Sequence, residues 1–124
     1  MRHDSAPCPI AGWRTLQPKR HVQGISGLTE NEAARFGILS RSISIGIEQA
    51  LGVSKVYSIS FGESVSHMHV HFIPRYPNLD TDYMGFGIAD LQRNVKRQLA
   101  AACDPKEIIK AISLLKNVLE RIDF

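Results

Sequence analysis

Three histidines, His67, His69 and His71, occupy alternate positions in the stretch "SVSHMHVHFIPR". In a β-strand alternate side chains share a face, so the three imidazoles point one way, spaced roughly 7 Å apart. Met68, Val70 and Phe72 form the opposite face, which is purely apolar and suits a core. Three readings compete for such a row. Histidines can be half-buried polar residues without chemistry, although chance rarely sets three at this spacing. Imidazole is also the commonest metal ligand, and a His-x-His pair is a familiar zinc or copper spacing. Three ligands in a line, however, make a span that one ion does not easily wrap. Apart from Glu63, no supporting carboxylate or thiol stands nearby. The third reading is phosphorus chemistry. A neutral imidazole is a good nucleophile, a flanking imidazole can hold its tautomer or protonate a leaving group, and charged neighbours offset a phosphate. This reading gives all three histidines a reason to share one face. It is preferred, and it needs no metal or other cofactor.

A sheet must hold these residues. "GWRTLQPK", residues 12–19, reads as a short strand after a Pro-rich lead. "VSKVYSISFG" alternates Tyr57, Ile59 and Phe61 and predicts a strand ending at Gly62. The histidine strand follows after a hairpin at residues 62–64 and stops at Pro74 and Pro77. Between the first two strands, "LTENE" opens a helix with Thr29 as cap and Glu32 completing a capping box. Phe36, Leu39, Ile43, Ile47 and Ala50 give it one apolar stripe, and Gly52 stops it. That stripe is expected to pack on the Met68, Val70 and Phe72 face.

After the polar loop "NLDTDYMGFG" two further helices are expected. One carries Leu91, Val95 and Leu99 on a single face. The other starts at Asp104-Pro105 and runs a seam of Ile108, Ile112, Leu115, Leu119 and Ile122.

Composition sets the outer bounds. The 124 residues are 44% hydrophobic and 22% charged, as in an ordinary single globular domain. A net charge of +3, with scattered basic residues, suits a small anionic ligand and argues against nucleic acid as a partner. Cys8 and Cys103 stand far apart in no metal pattern, and read as structural thiols in a reducing compartment. With no apolar signal core at the start and no run of membrane-span length, no membrane is expected, and the cytoplasm is the default address.

The stretch "SVSHMHVHFIPR" resembles the signature of the histidine triad (HIT) superfamily, His-φ-His-φ-His-φ-φ with φ apolar. "GWRTLQPKRHVQGISGLTENE" is similar to the family's upstream strand, Pro-Lys, His-Val and helix segment, so the likeness covers about residues 12–75. A third histidine at His71, where the nucleotidyltransferases carry Gln, resembles the hydrolase branches. The resemblance implies an α+β fold with an antiparallel sheet and a central helix on one face, usually in a homodimer. It divides a single domain, residues 1–124, into a lead at 1–11, a core at 12–76 and a loop with helical extension at 77–124. It also implies hydrolysis of a phosphoramidate or phosphoanhydride of a purine nucleotide at the α-phosphorus. His69 would be the nucleophile forming a nucleotidyl-histidine, His67 and His71 its flanking helpers, and Ser64 a phosphate contact.

Four departures from the family pattern bear on this. Trp13 stands where many members carry a further histidine, and an indole cannot exchange a proton. His21 belongs to a different, surface-prone family position. Glu63 replaces the usual Gln beside the phosphate and repels it unless protonated, paired or turned away. Little of the family's leading helix and hairpin precedes Gly12, leaving Asp4 as the candidate for its ribose-binding aspartate. The helical tail beyond Gly87 is longer than a minimal member needs. Two other functions therefore stand beside hydrolysis. One is a nucleotide-binding module that keeps the triad with little turnover; the other is a metal-binding protein.

Overall fold

The computed structural model describes residues 8–63, 65–116 and 122–124. Its longest element, α1 (Glu30–Leu51), begins where local chemistry demands. The Thr29 hydroxyl accepts from Glu32 N (3.1 Å), and the Glu32 carboxylate accepts from Thr29 N (2.8 Å), satisfying two otherwise orphaned donors. Arg20 also donates to Glu32 (2.7 Å) and to the carbonyl of Gly27 (2.6 Å). Those contacts, Arg20 first and the Thr29 amide next, hold the Glu32 pKa down at about 2. At the far end Gly52 takes a left-handed conformation, φ 65°, and closes the helix.

Among the described residues four strands form one sheet: β1 (Arg14–Gln17), β2 (Val56–Ile59), β3 (Val70–Pro74) and β4 (Ile122–Asp123). Their order is β2-β3-β1-β4. β3 lies antiparallel between β2 and β1, and β4 runs parallel to β1. This is an α+β fold. The register sets Arg14 and Leu16 beside Phe72 and Val70 on one face, and Thr15 and Ile59 beside His71 on the other.

The first face is the main core. Leu16, Met68, Val70 and Phe72 pack with Ile43 and Ile47 of α1, as the apolar alternation predicts. Phe72 is wholly buried, so truncation to Ala would cost about 3–5 kcal/mol. A second core lies on the histidine face, where α2 (Ile88–Lys96) sets Ile88, Leu91 and Val95 against Ile73 and Ile10. Gly12 links the two layers at a tight spot. Its φ is +88°, a conformation that strains any residue with a Cβ, and a Cβ there would also have to displace the tip of Leu51, 2.6 Å away, so glycine is favoured where the chain turns toward Trp13.

Three expectations need correction. The strands flanking the hairpin are shorter than the alternation suggests: β2 stops at Ile59 and β3 starts at Val70. The cause is a change of partner. Met68 N donates to Val22 O (2.7 Å), so the chain entering β3 pairs with the segment after β1, while Ser60 Oγ bridges to His69 O (2.8 Å). Leu99 lies beyond α2, beside Gln98 with φ 60°, and is exposed. Finally, α3 spans Pro105–Leu114, and Ile122 sits in β4 rather than on a helical seam; Leu119 falls outside the described residues. Pairing with Leu16 across the sheet outweighs continued helix, and Phe124 buries its ring against Phe36, 5.6 Å between centroids. The loop after β3 forms two short 3-10 turns, Thr81–Tyr83 and Gly85–Gly87. No helix among the described residues is long and apolar enough to cross a membrane.

Candidate active site

His71, within β3, is flanked across the sheet by Thr15 and Ile59. Its Nδ1 accepts a hydrogen bond from the indole Nε1–H of Trp13 at 2.9 Å, and the Thr15 hydroxyl lies farther off at 3.5 Å. An indole nitrogen can only donate, so His71 Nδ1 carries the lone pair and, in the neutral ring, Nε2 carries the proton. His69 has the reverse arrangement. Its Nδ1 lies 2.9 Å from the carbonyl oxygen of His67, which can only accept, so Nδ1 is protonated and the lone pair is left on Nε2. The two rings meet edge to face, with centroids 4.9 Å apart and planes at 89°. One imidazole thus offers a nucleophilic lone pair and its neighbour an acidic N–H.

His67 is separated from this pair. Its Nε2 donates to Pro18 O (2.9 Å), and its ring stacks on His21 at 5.1 Å between centroids. Its Nδ1 is buried without a partner among the described residues. What His67 contributes to the pair is its backbone carbonyl, which fixes the His69 tautomer.

His69 and His71 open into a cavity of about 470 Å3 that His67 does not line. Trp13, Ile59 and Ile73 line it from the sheet, and Phe61, Gly62, Glu63 and Val65 from the connection leading to β3. α2 completes the lining through Ile88, Ala89, Gln92, Arg93 and Lys96. The polar spacing of Gln92, Arg93 and Lys96 on one helical face is legible in the sequence, but nothing local says which sheet face a short helix will cover, so this wall is not among the expected site residues. Arg93 meets Asp90 at 3.3 Å in an exposed pair, which leaves the basic character of this wall largely intact. Glu63 is exposed and lines the same cavity. Ser64 and Asp4 lie outside the described residues. Among the described residues no group of three or more His, Cys, Asp or Glu side chains is arranged to hold a metal ion.

Comparison with known proteins gives the same frame. Solved structures similar to this chain include a histidine triad (HIT) protein from Sinorhizobium meliloti 1021. It is 21% identical with a TM-score of 0.62, the alignment covering 92% of this chain and 89% of that one. A histidine triad protein from Marinobacter aquaeolei VT8 is 23% identical with a TM-score of 0.52, covering 71% of this chain and 76% of that one. At these identities the likeness is one of fold. No curated protein matches the chain. Residues 9–78, more than half of the sequence and all of the segment from β1 through β3, match the family profile of the HIT domain. The chain belongs to the HIT domain family.

Proposed function

We propose that this protein is a nucleotide hydrolase that cleaves a phosphoramidate or phosphoanhydride at the α-phosphorus. The observation that carries the reading is the pair of opposite tautomers on one cavity wall, His69 fixed by the His67 carbonyl and His71 by the Trp13 indole. His69 Nε2 attacks phosphorus, a P–N bond forms, and the bond to the leaving group breaks. His71 Nε2–H donates toward the departing amine or phosphate, or to a phosphoryl oxygen as charge builds. Water then attacks the nucleotidyl-histidine, releasing the nucleoside monophosphate and restoring His69.

The remaining walls suit a nucleotide. Arg93 and Lys96 offset phosphate charge, and the exposed apolar side chains Phe61 and Val65 offer a surface on which a purine can lie. Ser64 as phosphate contact and Asp4 as ribose ligand complete the proposed site. Trp13 supplies a fixed donor rather than an exchangeable proton, so its presence is compatible with turnover. The protein acts in the cytoplasm without a cofactor and as a homodimer, to which the exposed Ile38 of α1 and Ile109 and Leu114 of α3 contribute apolar surface.

The test is hydrolysis of adenosine 5′-phosphoramidate by purified protein, unaffected by chelator, with acid quenching to capture adenylylated His69. One observation favours a second reading, a nucleotide-binding module with little turnover: the Glu63 carboxylate lines the cavity that would receive phosphate. Saturable AMP binding with no turnover would select it.

A further inference from the structure

Cys8 and Cys103, nearly the whole chain apart in sequence, are neighbours in the fold. The backbone N–H of Cys103 donates to the carbonyl of Cys8 at 3.0 Å. Standard bond lengths on either side of such a contact keep the two Cα atoms within about 7 Å of each other. Disulfides close over Cα separations of roughly 4.4–6.8 Å. Cys8 Sγ donates to the carbonyl of Ile10 at 2.9 Å, and Cys103 Sγ to the carbonyl of Asp104 at 3.7 Å. Beside them the carbonyl of Ala11 accepts from the Tyr76 hydroxyl at 2.8 Å. That phenol is pushed up to about 12, by burial first and then by the nearby charges of Cys103, Glu107 and Cys8. Both thiols are free and half-buried.

We propose that Cys8 and Cys103 form a reversible intramolecular disulfide, stapling the segment that leads into Trp13 to the segment that leaves α2. The oxidant is a small-molecule disulfide. The Cys103 thiolate attacks one of its sulfurs, forming a mixed disulfide and expelling one thiolate. Cys8 then attacks the Cys103 sulfur and expels the second. Two electrons pass from the cysteine pair to the oxidant, and the two protons lost by the cysteines end on the two departing thiols. Burial raises the pKa of both thiols, so the exchange is slow near neutrality and quickens with pH. The two elements joined both line the histidine cavity, one through Trp13 and the other through α2.

The test is incubation of the native full-length protein with oxidised glutathione at pH 8.5, followed by thiol titration, intact mass and thermal melting. The expected result is loss of two thiols, a mass lower by two hydrogens with no glutathione attached, and full reversal by dithiothreitol. Because the crosslink closes a loop spanning most of the chain, Tm should rise by about 5 °C or more. Cys8→Ser and Cys103→Ser should instead stop at the mixed disulfide. A persistent glutathione adduct on the wild-type protein, covalent dimers, unreacted thiols, or oxidation only after denaturation would each overturn the proposal.

Discussion

The indole N–H of Trp13 and Nδ1 of His71 meet at 2.9 Å, and this contact decides which His71 nitrogen can act as an acid. Trp13→Phe keeps a flat apolar ring and removes the donor. A neutral hydrogen bond contributes about 0.5–1.5 kcal/mol net, so kcat should fall about 2- to 13-fold. KM should change little. Steady-state kinetics on adenosine 5′-phosphoramidate would show this, and an unchanged kcat would remove Trp13 from the proposed mechanism.

His69→Gly removes the proposed nucleophile while leaving the basic wall of α2 in place. Turnover should disappear while AMP affinity, measured by calorimetry, stays within a few-fold of wild type. His71→Ala should retain a measurable rate, lowered about 10²–10⁴-fold, as expected for loss of a positioned acid. If His71→Ala were inert and His69→Gly active, the two roles would be exchanged.

Arg93 and Lys96, near the end of α2, line the same cavity as His69 and His71. Replacing both with Met keeps their apolar stems and removes two charges. KM for an anionic substrate should rise about tenfold in low salt, and the gap to wild type should narrow as ionic strength increases. Glu63→Gln acts in the opposite sense, tightening AMP binding because it takes a carboxylate from the same cavity. Should Glu63→Gln lose activity with binding unchanged, Glu63 would be a proton donor instead.

The Glu32 pKa, held at about 2 in the folded chain, lies below the roughly 4.3 of a free glutamate. A depressed folded pKa means stabilisation that is complete above the unfolded value and lost as pH falls through the folded one. The difference in Tm between wild type and Glu32→Gln should therefore be constant from neutral pH down to about 5 and shrink between about 4.3 and 2. Thermal melts across that range, monitored by circular dichroism, would read it directly.

Light scattering at micromolar concentration should give the mass of a dimer, and Ile38→Glu with Ile109→Glu should reduce it to that of a monomer. A wild-type monomer would remove the homodimer from the proposal.

Legibility followed the distance over which each signal acts. The limits of α1 could be read because Thr29, Glu32 and Gly52 act on their own neighbours. The two faces of β3 could be read because pleating is a property of the strand itself. The early end of β2 could not, because Met68 turns to Val22, a partner dozens of residues upstream. Ile122 continues the spacing of Ile108, Ile112 and Leu115 by coincidence of period, and only the pairing with Leu16 reveals it as strand. At the site, the row of histidines was plain, whereas its division into a cavity-lining pair and a backbone anchor depends on Pro18 and Trp13, contacts made across the sheet. The basic wall of α2 and the nearness of Cys8 to Cys103 were hidden for the same reason.

The parallel pairing of β4 with β1 also has a kinetic consequence. Leu16 and Ile122 are more than a hundred residues apart, so the entropy of closing that loop must be met before the pair gives any stabilisation. The antiparallel β2-β3 ladder, which joins near neighbours in sequence, can form first. During refolding the outer edge of β1 stays uncovered until the last step, and in that interval it can accept a strand from another molecule. Refolding yield should consequently fall as protein concentration rises, and the amides of Lys19 and Phe124, which bridge β1 to the end of the chain, should gain protection from hydrogen exchange later than those of β3.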